Sequence, residues 1–590
     1  MSIHQASRIN KRKHSIKPRP AAEPINKVVI GFDSEADTET DGRPMMFQFS
    51  MPYTTEEEVL LYEVPLRRNA GIRTFIEFIH FHCTEPSTLY LIYVWNLQYE
   101  LTQLFHDLPE KVIHKNEFTI KQFHTVDPMY TYPWRCHVVN DKRQLVTFRK
   151  GNINVRLLDG MAFYKTSLDN AARMLNVGRK QELAKLDRST FSRRDITDPD
   201  FIGYAKRDAY ITRLIGEYIQ TQHDFYQVKT TISAPHFASS IFKTQFLKTG
   251  VAAPSSQLEQ AGLSSYHGGK NGFYLKGPSF FPHVYQYDIT SAYPEAMKQL
   301  PDIEKATWTH VDEYIPHIHG LYKISGTLHS CKYGSVQDHD GSWLDSGNLS
   351  DLWITSYELD EAISKGEVQL TRASGYRMDG PDGGALAAYV DKFFLIKRNA
   401  KGPEREWAKL LLNSLYGKFF QKQGLGAVGT LDIDKQQWVE SDPSRPYDYE
   451  AGGLYHPPIA SLITGFVRAK IHRLEHRYES VMTSTDGFFG LQPPLDSDKS
   501  TDLGGLTCTT GSLGIWRERL YIFDGDDGQR KYALHGFHGK VSDLESIPLA
   551  KGTYTYEGTQ MITLKMSTQD IRDNSYSPGQ FAKLTFTLEL

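Results

Sequence analysis

The longest uninterrupted apolar stretch in the chain, Leu89 to Trp95, is short even when its tyrosines are counted as apolar. A membrane-spanning helix needs about 20 such residues, so this chain has to bury its apolar side chains in small pieces. Val28 to Phe32, Leu89 to Trp95 and residues 153–158 have the length of buried strands,. Helical patterns at 165–176 and 198–220 are interspersed with them, and an α/β unit over about residues 26–222 follows. With 590 residues in all, at roughly 150 per domain, there is room for about four compact units.

Lys and Arg number 67 against 70 Asp and Glu, a formal net charge of −3. Binding of nucleic acid would therefore need segregated basic surface, since bulk charge does not supply it. The four cysteines (Cys83, Cys136, Cys331, Cys508) form no CxxC pair, which argues against a disulfide scaffold and a structural zinc. The first residues lack the apolar core of a signal peptide. These features predict a soluble protein of a reducing compartment, the cytoplasm. Arg8, Lys11, Arg12, Lys13, Lys17 and Arg19 with no acid before residue 21 make residues 1–25 read as a disordered basic tail. Such a tail is either simply solvated or in loose contact with phosphates.

Asp33 and Glu35 stand two apart, directly after the first apolar run. Strand side chains alternate, so both project from one face. Paired hard oxygen ligands at a rigid strand end suit Mg²⁺ or Mn²⁺, although a solvated strand end would look the same. Trp95-Asn96-Leu97-Gln98-Tyr99-Glu100 adds a third acid after the second run. Tyr204 and Asp208, at i and i+4, share a helix face. Helix packing accounts for Tyr204 alone, and a helix-start acid for Glu100 alone. Their order in one α/β unit points to a shared site.

Further along, Tyr287-Asp288-Ile289-Thr290-Ser291-Ala292-Tyr293-Pro294 is the strongest signal. At about 5% usage per residue type, its Asp, Ser, Tyr and Pro coincide on the order of once in 10⁵ windows. Two helical segments, about 386–399 and 403–420, are separated by Gly402-Pro403, a break and restart,. In the second, Lys409, Asn413 and Tyr416 fall on one polar face, with Leu411, Leu412 and Leu415 displaced to the other side. A cation, an amide and an aromatic in line suit a triphosphate and a base. Thr483-Ser484-Thr485-Asp486-Gly487 is a weaker, loop-like segment with one acid. Asp442 to Gly453 reads as a loop or small insertion.

In this order the segments resemble family B DNA polymerases, over roughly residues 28–540. Asp33/Glu35, Glu100 and Tyr204/Asp208 resemble the Exo I, Exo II and Exo III motifs of the 3′–5′ proofreading exonuclease. That likeness implies two metals on Asp33, Glu35, Glu100 and Asp208, with Tyr204 orienting the attacking water. Asn96, Tyr99, Ser167 and Leu168 would contact single-stranded DNA, and Lys180 or Lys185 would be the catalytic lysine. The family carries Asp where this chain has Glu100, which moves the charge by about one methylene.

Residues 287–294 resemble polymerase motif A, in which Asp288 binds both catalytic metals and Ile289, Ser291 and Tyr293 meet the incoming nucleotide. Tyr293 would exclude a 2′-hydroxyl. Residues 409–417 resemble motif B, Kx₃NSxYG, where Lys409 neutralises the triphosphate with Lys397 as companion, and Asn413 and Tyr416 complete the nucleotide site. Residues 483–489 resemble motif C with two departures, Ser484 and Gly487. Asp486 keeps the direct metal ligand, and Thr485 lies against DNA. Tyr266-His267-Gly268-Gly269 resembles the YxGG motif, whose Tyr266, Gly268 and Gly269 approach the template. Leu513-Gly514-Ile515-Trp516 followed by Arg519 and Tyr521 resembles the KxY region that grips the primer terminus. Lys531-Tyr532 is an alternative register, and Arg519-Tyr521 is preferred because His535-Gly536 then falls where relatives have Lys-Gly.

The resemblance implies an α/β and α+β multidomain chain, an RNase H-like 3′–5′ exonuclease domain followed by a right-hand polymerase with terminal-protein-region insertions. The expected layout is an exonuclease domain at 26–222 and a polymerase domain at 223–590. The latter divides into palm (about 223–300 and 456–538), insertion 1 (about 301–385), fingers (about 386–419), insertion 2 (about 420–455) and thumb (about 539–590). Compact length resembles the protein-primed subgroup, as in phage phi-29, in which the second insertion gives processivity and strand displacement. Expected partners are DNA template and primer, dNTPs and a terminal protein bound partly through Trp308, Tyr314, Tyr322, Trp343, Trp353 and Tyr357. The expected cofactor is Mg²⁺, with Mn²⁺ as alternative. The chain would act as a monomer without a membrane, in the cytoplasm of a host cell if viral. Rival readings are a primer-independent polymerase of a mobile element, a DNA-binding scaffold with a decayed site, and a repair nuclease with a vestigial palm.

Overall fold

The computed structural model describes residues 15–107, 123–125, 134–139, 145–179, 190–424, 429–432, 437–440, 449–562, 577 and 579–590. Lys180 and Lys185, and residues 1–14 of the basic N-terminal segment, lie outside them.

The three strand-like runs become β1 (Lys27–Ala36), β4 (Leu89–Val94) and β8 (Ile153–Asp159), which pair in parallel as the centre of an eight-stranded sheet. Antiparallel β2 (Pro44–Ser50) and β3 (Leu60–Glu63) extend it on one side. On the other come β7 (Leu145–Lys150), β6 (Trp134–Val139) and β5 (Phe123–Thr125), giving the order β3-β2-β1-β4-β8-β7-β6-β5. One face packs Phe32, Phe47, Phe49, Phe75 and Phe78 into a core that includes α1 (Ala70–His82) and α2 (Leu97–Leu104). The other face carries α3 (Leu168–Leu175) and α4 (Pro199–Phe225). Helix α4 starts where Asp198 accepts the N–H of Asp200 and Pro199 occupies the first turn, a standard N-cap with a proline that loses no helical bond. It then passes so close to β1 that a Cβ on Gly31 would lie 2.0 Å from the Ala209 carbonyl oxygen. Glycine is required there, and the close approach brings the Tyr204–Asp208 turn beside β1.

After β9 (Lys270–Phe273) and β10 (Ser279–Ile289), the chain turns into α5 (Ala292–Gln299). Residues 307–379 then form a separate antiparallel sheet, β11 (Thr307–Val311), β14 (Val368–Asp379), β12 (His319–Leu328) and β13 (Gly347–Thr355) in that order, with α6 (Ser356–Ser364) and a core of its own. The paired helices α7 (Ala385–Asn399) and α8 (Gly402–Ser414) follow. Short strands β15 (Lys422–Gly424), β16 (Gly429–Asp432), β17 (Gln437–Glu440) and β18 (Tyr449–Ala451) lead to the long buried α9 (Pro457–Tyr478). β19 (Ser480–Thr485), β20 (Gly487–Gly490), β21 (Leu506–Arg517), β22 (Leu520–Gly525) and β23 (Arg530–Leu534) complete a seven-stranded antiparallel sheet, β23-β22-β21-β10-β20-β19-β9. The hairpin of β24 (Thr553–Met561) and β25 (Phe581–Glu589) ends the chain.

Three expectations are corrected. Residues 15–25 are not a free tail. Ile16 is buried and forms a bridge with Val251, the Arg19 N–H donates to the Lys243 carbonyl, and the Ala22 N–H donates to that of Gln227. Average composition hid one apolar anchor among the cations. The second helix of the pair stops at Ser414, and 416–420 winds as a tighter 3₁₀ turn, which sets Tyr416 and Phe420 against other rings. The aromatics of 301–385 are not an exposed surface. Tyr322 lies in the core of the inserted unit, Tyr357 packs on Phe466 of α9, and Trp343 covers the Lys270 ammonium; none of the six is exposed.

Candidate active sites

Strand β10 carries Asp288 and pairs with β20 so that Asp288 stands opposite Gly487; Asp486 occupies the turn between β19 and β20. The Ile289 N–H donates to the Asp486 carbonyl at 3.0 Å, which ties the two turns together. Both acids open on a cleft of about 350 Å³ lined also by Ser484, Thr507, Tyr521 and Lys531. Gly487 is the departure that geometry explains, because an added Cβ would sit 3.3 Å from an Asp288 carboxylate oxygen and 3.1 Å from the Tyr287 carbonyl. Thr485 (φ 58) and Ser291 (φ 56) are left-handed. A β-branched residue there is strained, and such strain gathers at functional sites.

Burial and the neighbouring Asp486 charge push the Asp288 carboxyl up to about 6, against the pull of Lys531, Lys397 and Lys409. Two like charges facing one cleft with opposing ammonium groups are suited to a divalent cation, and the all-oxygen donor set fits Mg²⁺ or Mn²⁺. A raised acid pKa means that protonation competes with cation binding as pH falls through it. Cation-dependent turnover should therefore fall about tenfold per pH unit below about 6. Lys531→Met removes a charge that favours ionised Asp288, so the acid limb should move to higher pH in a pH–rate profile. An unmoved limb would exclude this coupling.

Across from the acids, the Lys397 ammonium donates to the Ser291 hydroxyl at 2.8 Å. Burial, Lys409 and Arg405 hold it below the ordinary lysine value. Lys409 and Asn413 are exposed, while Leu411, Leu412 and Leu415 are buried. The Tyr416 ring stacks flat on Tyr293 at 4.0 Å, and Tyr266 stacks on Phe420 at 3.5 Å. Gly269 has to be glycine, since a Cβ would come within 2.7 Å of the Tyr293 hydroxyl and 2.8 Å of Thr485. Arg519 sits at the β21–β22 turn (φ 57) and does not line the cleft, whereas Lys531 on β23 does, its ammonium 2.8 Å from Gln286. Each register thus places one residue in the cleft, Tyr521 from the preferred one and Lys531 from the alternative. β22 and β23 pair as a hairpin that sets exposed Lys531 at the rim of the cleft.

Sequence reasoning missed Arg468. Its side chain, 1% exposed, makes a bidentate pair with Glu358 of α6 (2.7 and 2.9 Å) and donates to the carbonyls of His267 (2.6 Å) and Gly268 (2.9 Å). One arginine on α9 thereby fixes the Tyr266–Gly269 loop and the inserted unit together. Arg468→Met leaves Glu358 buried and unpaired, so stability should fall by about 3–5 kcal/mol. Arg468→Met with Glu358→Leu should recover most of that in thermal denaturation. No recovery would mean that the carbonyl bonds dominate.

In the first sheet, Asp33 is half-buried and Glu35 buried on β1; Asp208 and Tyr204 are buried on α4. Tyr204 packs among Met45, Met46, Phe191 and Phe201. Glu100 is fully buried in the first turn of α2, and its longer arm accepts the Ser34 hydroxyl at 2.5 Å through Oε2, leaving Oε1 with no hydrogen-bond partner among the described residues. Burial, then the charge of Asp33, raise its carboxyl well above the usual range, with Glu35 and Asp159 adding to the effect. Asp159, at the end of β8, was not expected; it is buried and accepts the N–H groups of Asn96 (3.1 Å) and Met161 (2.9 Å). An acid closing a strand-like run was its signal, the same one that marked Asp33. Ser167 caps α3 through the Asn170 N–H, and Leu168 is buried; Tyr99 is half-buried on α2. Crowded carboxylates with an unbonded buried oxygen fit a divalent cation, which would offset their mutual repulsion.

A central parallel trio flanked by an antiparallel hairpin, with acids at the strand ends, has an RNase H-like arrangement, and the second sheet with the paired helices has a right-hand, palm-and-fingers arrangement. A family model described as DNA polymerase type B, organellar and viral, matches residues 185–436. It is 28% identical over 273 residues to the primer-independent DNA polymerase PolB of Escherichia coli, covering 42% of this chain and 30% of that protein. It is 27% identical over 149 residues to the DNA polymerase of Bacillus phage phi29, covering 22% and 25%. These matches thus span about a third or less of either relative's length. The structure of phi29 DNA polymerase complexed with primer-template DNA and incoming nucleotide superposes with a TM-score of 0.64 at 16% identity, over 96% of this chain and all of that one. That likeness establishes the fold. Among the described residues no helix is long and apolar enough to cross a membrane.

Proposed function

We propose that the chain is a DNA-directed DNA polymerase with a separate 3′–5′ exonuclease, serving a phage or mobile-element genome. The observation that carries the reading is the approach of Asp288 and Asp486 on adjoining strands, with Lys397 and Lys409 facing them. Mg²⁺ held by the two acids would stabilise charge on the attacking and leaving oxygens. The remaining work falls to positioning. Lys397 and Lys409 draw the triphosphate toward the acids, and the Tyr293–Tyr416 stack offers a flat wall to the nucleotide sugar. The Arg468-held loop sets Gly268 and Gly269 beside the template path. In the first sheet, Asp33, Glu35, Glu100 and Asp208 would hold the cations of the nuclease, with Asp159 fixing the start of α2. The scaffold and vestigial-palm readings find no support in this arrangement.

Two modes of initiation remain in play. Priming by a protein rests on the inserted unit at 301–385 and on the full-length fold likeness to the phage enzyme, with five of its six aromatics half-buried and Tyr322 buried. Initiation without a primer is favoured by the longer match to the Escherichia coli relative. Processivity and strand displacement were ascribed to 420–455, much of which lies outside the described residues. Purified chain should extend a primed template and shorten single-stranded DNA from its 3′ end. Labelled product on unprimed template with no second protein would establish the primer-independent mode. Extension only from a primer, with initiation restored by a partner protein, would establish protein priming. No extension at all would overturn the polymerase reading.

A further inference from the structure

Outside both carboxylate centres, three side chains converge where the inserted unit meets α9. His472 and His476 lie four residues apart and so share one helix face. Glu367 comes from the turn between α6 and β14. His472 Nε2 is 2.9 Å from one Glu367 oxygen, and His476 Nε2 is 3.0 Å from the other. The three donor atoms lie within 4.8 Å of one another; Glu367 and His472 are buried and His476 is half-buried. Nothing in the polymerase or nuclease chemistry uses them.

We propose that Glu367, His472 and His476 form a structural site for a borderline divalent cation, Zn²⁺, that clips the inserted unit to α9. The donor set carries the choice of ion. Two imidazole nitrogens and one carboxylate suit Zn²⁺, whereas Mg²⁺ prefers oxygen alone, so one chain keeps its hard and borderline sites apart. Two histidines at i and i+4 on a helix are a recurrent zinc-binding spacing. Zn–N and Zn–O bonds near 2.0–2.2 Å place tetrahedral ligands about 3.3 Å apart. The two nitrogen–oxygen separations are a little shorter than this, and rotation of the Glu367 carboxylate relaxes both. The His476 side chain is 27% exposed, which leaves an aqueous approach for a fourth, water ligand.

The surroundings support the arrangement. With the cation on Nε2, the proton of His472 moves to Nδ1, where it needs an acceptor. Glu475 Oε2 is 3.9 Å from that nitrogen. The Lys270 ammonium, 3.1 Å from Nδ1, is held by its ion pair with Glu475 Oε2 at 2.6 Å and by the Gly334 carbonyl at 2.7 Å, so it can keep both while it releases Nδ1. Such outer partners commonly orient ligating histidines. The cysteine pattern, which argued against a structural zinc, is silent here because no cysteine takes part.

The full-length chain, stripped with EDTA, reloaded with Zn²⁺ and gel-filtered, should retain one equivalent by elemental analysis. His476→Gln and Glu367→Gln should each weaken retention roughly a hundredfold or more, and Zn²⁺ should raise the melting temperature of the wild type but not of these variants. Co²⁺ in place of Zn²⁺ should give the intense visible bands of a tetrahedral site. Asp288→Asn should leave retention unchanged, which separates this site from the polymerase centre. A wild-type chain that retains no Zn²⁺, or a Co²⁺ spectrum of octahedral type, would show a metal-free hydrogen-bonded clamp and overturn the proposal. Equal retention by the variants would overturn it as well. If the variants fail to fold by circular dichroism, the Co²⁺ titration of the wild type decides alone.

Discussion

Asp288→Asn and Asp486→Asn are each expected to lower nucleotide incorporation on a primed template by at least ~10³-fold, about 4 kcal/mol of transition-state stabilisation. Binding of primer–template should stay within about twofold, since charge development during the reaction is what the acids serve. Asparagine is the instructive replacement because it keeps shape and hydrogen bonding. The Thr507 hydroxyl donates to the Asp288 backbone carbonyl, and that of Thr485 to the Asp486 side chain, and both contacts survive an amide. Folding gives a second check with the opposite sign. The Asp288 carboxyl is raised to about 6, so its charge opposes the folded state above that pH and the stability it lends is confined to lower pH. Near neutral pH, Asp288→Asn should therefore be at least as stable as the wild type while inactive. Single-turnover incorporation above a tenth of the wild-type rate in either variant would remove Asp288 and Asp486 from the centre. Ser484→Asp, which adds an acid to the same cleft, should change the rate little if the two existing carboxylates suffice.

Strong local pattern made much of this legible. The strand-like runs 28–32, 89–95 and 153–158 read as strands, and the acids just beyond them fall at one edge because parallel strands end together,. Gly402-Pro403 marked the restart of the helix that carries Lys409, and the leucine spacing fixed which face turned outward. What stayed hidden depends on contacts far apart in sequence. Arg468 looks like any helix cation until α9 is laid against α6, more than 100 residues earlier in the chain. Lys531 and Arg519 are equivalent as text, and only strand pairing shows which of them lines the cleft beside the acids. The aromatics of 301–385 have interface-like composition, yet the same residues serve a small core, and composition alone does not separate the two. Ile16 shows the same limit on a smaller scale, a single apolar side chain deciding the course of a segment whose average composition reads as unfolded.

Asp33→Ala with Glu35→Ala is expected to reduce 3′-terminal degradation of single-stranded DNA by at least ~10³-fold while sparing extension, because the acids sit in separate sheets and no residue is shared. Persistent degradation would place the nuclease elsewhere in the chain. Glu100 allows a finer test. Its extra methylene lets it reach the Ser34 hydroxyl, which lies between the two β1 acids, and that bond lowers a carboxyl otherwise raised by burial and by Asp33. Ser34→Ala removes the bond, leaves both Glu100 oxygens buried without it, and should shift the acid limb of the nuclease pH profile to higher pH. At neutral pH the loss should be a few-fold to about tenfold, roughly 1 kcal/mol, the usual net worth of a single intramolecular hydrogen bond. Glu100→Asp is too short to keep the same bond and should follow Ser34→Ala. Were Glu100→Asp to raise the rate while Ser34→Ala leaves the pH profile in place, the longer side chain would be a handicap rather than an adapted ligand, and Glu100 would act through charge alone.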